Sequence, residues 1–109
     1  MIITSQSKTW TGTVTIFDRL VLSQVELVEA ALSDMPPITE GKVALTALDK
    51  PRLPALLACV EKWELKGFPD PVTVENFPLT PRRQAHDLIM QIFAEIAKVY
   101  NGELDVPNE

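Results

Sequence analysis

Alternating hydrophobic and polar residues near the N-terminus predict a β-strand from Thr9 to Phe17. The stretch is rich in β-branched and aromatic residues, which strands favour. Its apolar face carries Trp10, Gly12, Val14 and Ile16. Threonines occupy the opposite face, so one side can pack on helices while the other meets water or a neighbouring strand. If this strand is unpaired, we expect edge pairing between subunits, and hence a homo-oligomer.

The first helix is predicted from about Gln24 to Asp34. Ser23 and Glu26 have the spacing of a capping box, in which each side chain bonds a backbone N–H left free at a helix start. Apolar residues then recur at helical spacing: Val25, Val28, Ala31, Leu32 and Met35. The Pro36–Pro37 pair ends the pattern.

A second helix is predicted from about Lys50 to Lys66. Asp49 can cap its N-terminus, and Pro51 lies in the first turn, where a missing N–H costs little. Gly67 is the expected stop. The predicted buried stripe contains Leu53, Leu56, Leu57, Val60 and Trp63.

Two other segments lack a clear period in the spacing of their apolar residues. Residues 38–48 are compatible with a short helix or a strand, and we expect a helical turn. The stretch from Phe68 to Pro81 contains four prolines, which restrict the backbone and remove N–H donors, so it predicts an extended connector.

The longest helical pattern lies at the C-terminal end. Thr80 can cap this helix with Pro81 at its first position, and Asn101-Gly102 is typical of a helix end. The apolar stripe contains Ala85, Leu88, Ile89, Ile92, Phe93, Ile96 and Tyr100.

These elements predict an α+β fold that is mainly α-helical. An N-terminal strand or hairpin is followed by a bundle of three to four helices, the last of them long. The length of 109 residues fits one domain. We expect a single globular domain over 1–102 and a short acidic tail over 103–109.

A formal net charge of -5 disfavours nucleic acid and anionic membrane as partners, because binding to phosphate depends on Lys and Arg. No stretch approaches the roughly 18 apolar residues of a membrane span, and no signal peptide is evident. The single cysteine, Cys59, lies among apolar residues, where a buried reduced thiol suits the cytoplasm.

The sequence offers little catalytic chemistry. His86 is the only histidine, and its neighbours predict solvent exposure and a surface or structural role. Without a second histidine or cysteine the chain lacks a zinc set, and its isolated glycines form no phosphate loop. We therefore expect no cofactor, no metal and no enzymatic activity.

Three residues are candidates for contact with a partner. Trp63 is predicted at the edge of an apolar stripe, and tryptophan is enriched in binding hot spots. Arg82 and Arg83 form a basic pair at a helix start, where the helix dipole disfavours positive charge. The alternatives are a core role for Trp63 and simple surface solubility for the arginines.

Three segments carry a resemblance to a known family: Trp-Thr-Gly-Thr-Val-Thr at 10–15, Leu-Ala-Cys-Val-Glu-Lys-Trp at 57–63, and Phe-Pro-Leu-Thr-Pro-Arg-Arg-Gln-Ala-His at 77–86. In organisation, over nearly the whole chain, the sequence resembles tail assembly chaperones of long-tailed (siphovirus-type) bacteriophages and prophages. The resemblance implies a small helical protein that binds and solubilises the tape-measure protein and helps recruit tail-tube subunits around it. It implies action in the host cytoplasm, absence from the mature virion and no catalytic residues.

The rival interpretation is a structural tail-completion or head-tail connector protein, which would persist in the particle. A small hydrolase using His86 and either Glu26 or Glu61 would require those groups to converge in a pocket. A regulator or antitoxin-like binding protein would capture a host protein instead.

Overall fold

The computed structural model describes residues 1–33 and 49–102. In chain order the elements are β1 (Ile2–Thr4), β2 (Gly12–Ile16), α1 (Leu22–Ser33), α2 (Arg52–Cys59), β3 (Val60–Leu65) and α3 (Arg82–Asn101). The predicted α+β fold, mainly helical with N-terminal strands and a long last helix, is confirmed. Several predictions lie outside the described residues: the end of the first helix at Asp34, its stripe residue Met35, the Pro36–Pro37 stop, the segment 38–48 and the acidic tail 103–109.

The strands form an antiparallel sheet in the order β1-β2-β3. The predicted strand therefore lies in the centre of the sheet as β2, paired on both sides, and β3 lies at an edge. The strand is shorter than the predicted Thr9–Phe17, and over Gly12–Ile16 the predicted faces are confirmed, since Val14 and Ile16 are buried. Trp10 is also buried but precedes the strand. The threonine face meets solvent, with Thr13 opposite Glu64 across the β2–β3 ladder.

Gly12 has a structural reason to be glycine. Its φ is 135°, and a Cβ atom built at this position would overlap the carbonyl oxygen of Glu64. The absent side chain therefore allows β2 and β3 to approach closely at this point.

The predicted second helix is wrong in its second half. Helix α2 ends at Cys59, and the following residues form β3. Residues Trp63 and Leu65 face inward while Lys62 and Glu64 are exposed, which is the period of a strand. The strand forms because the β2 edge needs hydrogen-bond partners, and Gly67, with φ 83°, lies in the turn after β3 rather than at a helix end.

The side-chain caps predicted for all three helices are also wrong. Helix α1 begins at Leu22, one residue before the predicted Ser23 cap. The Gln24 side chain instead accepts the Val21 N–H at 2.8 Å and donates to the Ala58 carbonyl at 2.9 Å, which joins the start of α1 to the end of α2. Helix α2 has Pro51 at its N-cap and no side-chain cap; the predicted cap, Asp49, makes other contacts.

The predicted C-terminal helix is confirmed to within a residue, and Gly102 is its C-cap as expected. The predicted Thr80 cap is wrong, because Pro81 occupies the N-cap position and no side chain caps this end. Helix α2 contacts both α1 and α3. The core lies between these helices and the inner face of the sheet. Its α3 residues are Ala85, Leu88, Ile89, Ile92, Phe93 and Ile96. From α1 it takes Val28 and Ala31, whereas Leu32, predicted in the stripe, is exposed.

Candidate binding surface

Trp63 lies in a cluster of four aromatic rings, which we call the aromatic cluster: Trp10, Trp63, Phe68 and Phe77. The β2–β3 register sets Trp63 opposite Val14, and the connector after β3 returns two phenylalanines to it. The Trp63 ring stacks on Phe68 with centroids 5.4 Å apart and meets Phe77 edge-on at 5.7 Å. Trp10 meets Phe68 edge-on at 5.8 Å. Trp63 is thus half-buried on β3, not at the edge of a helical stripe as predicted.

A shallow groove of about 420 Å³ runs beside this tryptophan. We call it the edge groove; it is lined by Glu61, Lys62, Trp63, Glu64 and the segment 69–72. Its strand wall is the outer edge of β3, and its opposite wall contains two prolines of the connector. In the part of the chain that the structure describes, no strand pairs with this edge of β3. An aromatic side chain next to such an edge is suited to contact with another polypeptide.

Arg82 and His86 converge on a buried carboxylate, a group that we call the ion cluster: Asp49, Arg82 and His86. Asp49 is fully buried, its Oδ2 pairs with the Arg82 guanidinium, and its Oδ1 lies 2.7 Å from Nδ1 of His86. Arg82 also donates to the Leu79 carbonyl at 2.8 Å. The ion cluster therefore links the start of α3 to Asp49, which lies three residues before α2.

The predicted exposure of His86 is wrong, because only 15% of its side chain meets solvent. Burial lowers the pKa of His86; Asp87 raises it, and Arg52, Arg83 and Arg82 lower it further. A neutral imidazole that donates its Nδ1–H to the Asp49 carboxylate fits this environment. The negative charge of Asp49 is then balanced by Arg82.

The ion cluster contains a base and an orienting carboxylate, two parts of a hydrolytic triad. In the described part of the chain, the only side chain that hydrogen-bonds His86 is Asp49, so no hydroxyl or thiol is positioned for attack. Cys59 is fully buried, and burial raises the pKa of its thiol to about 11. Both groups therefore fit structural roles better than nucleophilic catalysis.

Arg52 is a buried arginine of α2, close to the ion cluster. Its guanidinium lies 5.4 Å from the ring centroid of Phe93, and burial lowers its pKa. The contact joins α2 to α3 through a cation–π interaction.

Arg83 differs from its neighbour in sequence. Its side chain is 76% exposed and only 3.7 Å from Asp87, which is also exposed. An exposed pair of this kind contributes little to stability, so Arg83 remains available to an acidic partner. The structure thus separates the three predicted contact residues: Trp63 joins the aromatic cluster, Arg82 the ion cluster and Arg83 the solvent face. Their contact with a partner stays a prediction.

A second groove, of about 410 Å³, lies between the loop after β1 and α3, and Gln91 contributes to its lining. The side-chain oxygen of Gln91 accepts the Gln6 N–H at 3.0 Å, and its side-chain nitrogen donates to the Thr4 carbonyl at 2.8 Å. The amide thus continues the hydrogen bonding of β1 and ties it to α3.

Among residues 1–33 and 49–102, two neighbouring large apolar side chains are exposed at the start of α1. Val21 is 63% exposed and Leu22 is 73% exposed, and Leu32 near the other end of α1 is 48% exposed. Sequence reasoning missed the first two because the predicted helix began after them. The signal in the sequence for this exposed pair is the apolar run Leu20-Val21-Leu22, which lies outside the apolar stripe of the predicted helix.

Within residues 1–33 and 49–102, no group of three or more His, Cys, Asp or Glu side chains could hold a metal ion. In the same residues, no helix has the length and apolar character needed to cross a membrane. Comparison with protein families, curated proteins and solved structures gives no match for this chain.

Proposed function

We propose that this chain is a phage tail assembly chaperone that binds and solubilises a tape-measure protein and helps recruit tail-tube subunits around it. The proposal places its action in the host bacterial cytoplasm, with no copy retained in the mature virion. Its sequence support is the resemblance over nearly the whole chain. The α+β fold with a long last helix is compatible with that family.

The exposed apolar pair Val21–Leu22 is the observation that carries the proposal. Two adjacent large apolar side chains, each more than 60% exposed, contribute favourable free energy when a partner covers them. Polar residues border the pair, since Ser23 and Glu26 follow it on α1. An apolar patch with a polar rim is typical of a protein–protein contact site.

A tape-measure protein suits this kind of surface. A long helical protein exposes apolar stripes until the tail tube closes around it, and a helix can lay such a stripe on an apolar patch. The net charge of -5 favours basic stretches in the same partner.

The direct test is co-expression with the tape-measure protein encoded in the same tail gene cluster. We expect the tape-measure protein to become soluble and to co-purify with this chain. The double variant Val21→Thr/Leu22→Thr removes apolar contact area, so it should leave the tape-measure protein in the insoluble fraction.

A matched control is Ile2→Thr/Val74→Thr, which makes the same kind of change at two other exposed apolar residues. It should solubilise the tape-measure protein as well as the wild type does. Equal thermal melting of both double variants excludes misfolding. A tape-measure protein that aggregates in the presence of the wild-type chain contradicts the proposal.

The second candidate, a structural tail-completion or connector protein, predicts a different distribution. A virion component remains in purified particles at a fixed copy number, whereas a chaperone is removed. Mass spectrometry of purified virions therefore distinguishes the two functions.

A further inference from the structure

The outer edge of β3 carries backbone groups that point away from the sheet. Lys66 donates its N–H to the Thr11 carbonyl at 2.9 Å. This bond shows which residues of β3 direct their backbone groups toward β2. Because successive residues of an antiparallel strand direct their backbone groups to opposite edges, Lys62 and Glu64 bond β2. The N–H and C=O of Trp63 then face outward, and β2 is the only strand beside β3 among the described residues.

An open groove lies next to these groups. The edge groove of about 420 Å³ borders β3 along Glu61 to Glu64. Trp63 is half-buried and contributes to the lining of this groove. An unpaired strand edge is a template for pairing with a further strand.

The sequence of β3 is complementary to itself in one register. In an antiparallel pair of two β3 strands centred on Trp63, Lys62 of each copy lies opposite Glu64 of the other. Centring on Lys62 or on Glu64 instead sets like charges opposite each other. Those two registers also place at the centre a residue whose backbone already bonds β2, whereas the N–H and C=O of Trp63 are directed outward.

We propose that a second copy of this chain occupies the β3 edge, pairing β3 with β3 about a twofold axis at Trp63. The two Trp63 residues exchange N–H···O=C bonds, and two Lys62–Glu64 pairs form on the outer face of the joined sheet. The two sheets become one continuous sheet, with the helices of both copies on the same side. The pairing is independent of the chaperone function.

Sedimentation velocity over a concentration series tests the pairing. The wild type should show a monomer–dimer equilibrium. Lys62→Glu turns both cross-strand attractions into repulsions, so it should raise the dimer dissociation constant by roughly tenfold to a hundredfold. Glu64→Lys should do the same, and the double variant Lys62→Glu/Glu64→Lys should restore the dimer.

Lys8→Glu is the control for net charge, because Lys8 is exposed and lies outside β3. It should leave the dissociation constant unchanged. Thermal melting of the single variants at the wild-type temperature excludes misfolding. A chain that is monomeric at every concentration overturns the proposal, and so does a dimer that is insensitive to charge reversal.

Cross-linking tests the register itself. Mixing the Lys62→Cys and Glu64→Cys variants should give a disulfide-linked heterodimer under mild oxidation, since directly opposite residues of a non-hydrogen-bonded pair have the required separation. Cys59 is fully buried and does not compete. Failure of the mixed pair to link, while Lys62→Cys links to itself, would overturn this register.

Discussion

The two ends of α3 are held in different ways. At the C-terminus, Gly102 adopts a left-handed φ of 73°, its N–H bonds the carbonyls of Val99 and Lys98, and Lys98 is a basic residue in the last turn. At the N-terminus, Pro81 provides no side-chain cap, and two arginines follow it. That end depends instead on Asp49, which is brought to it from before α2.

The comparison separates local from tertiary control of a helix. The C-terminal end follows from neighbouring residues alone, because glycine tolerates the left-handed conformation and a lysine complements the helix dipole. The N-terminal end is unfavourable by local rules. It becomes favourable because the fold brings the buried carboxylate of Asp49 to the helix start. Asp49 lies 37 residues before His86 in the sequence.

The largest expected effect is at the N-terminal end. Asp49→Ala leaves Arg82 without its buried counter-ion and His86 without its acceptor, and we expect a loss of about 2–4 kcal/mol in the free energy of unfolding. Urea denaturation measures this. The matched control is Asp87→Ala, which removes the exposed partner of Arg83 and should cost less than about 0.5 kcal/mol. Equal losses in the two variants would mean that the ion cluster does not hold the helix.

A smaller effect is expected at the C-terminal end. Gly102→Ala forces an L-residue into a left-handed conformation, although its Cβ atom would meet nothing within 4 Å. We expect a cost of about 1 kcal/mol in thermal or urea unfolding. Gly102→Asn should cost less, since asparagine tolerates this conformation. A loss at Gly102→Ala that equals the Asp49→Ala loss would remove the contrast between the two ends.

The smallest effect concerns pH. Burial lowers the pKa of His86 below its ordinary value of 6.5, with the nearby arginines acting in the same direction. The stability contributed by neutral His86 is therefore complete above that value and is lost as the pH falls below it, because the unfolded chain takes up a proton more readily.

We expect the free energy of unfolding of the wild type to decrease between about pH 7.5 and pH 5.5 by more than that of His86→Gln. Glutamine cannot titrate but keeps an N–H donor for Asp49. If the free energy of unfolding of His86→Gln changes with pH as steeply as that of the wild type, His86 is not the source of the pH dependence.

The elements that the sequence predicted correctly are those with local signals. The apolar repeat from Ala85 to Ile96 and the Gly102 stop define α3, and the alternation around Val14 defines β2. The prediction was wrong for β3 because Val60 and Trp63 also continue the apolar stripe of α2 at helical spacing. Pairing with β2 favours the strand period over the helical one, and that pairing cannot be read from the neighbouring residues alone.

The candidate site was less predictable than the fold. Asp49 stands before a helix, where local rules make it a cap, yet its side chain bonds Arg82 and His86. The exposure of Val21 and Leu22 depends on which residues the sheet and helices leave uncovered. Trp63 lies on β3, so its expected helical position was wrong, and its contact with a partner stays a prediction.

The aromatic cluster gives the molecule an optical reporter of its own. Its two indoles differ in environment, since Trp10 is 5% exposed whereas Trp63 borders the edge groove. In a Trp10→Phe variant all indole emission would come from Trp63. A shift of that emission to shorter wavelength would then record the departure of water from the groove in real time, without any attached dye.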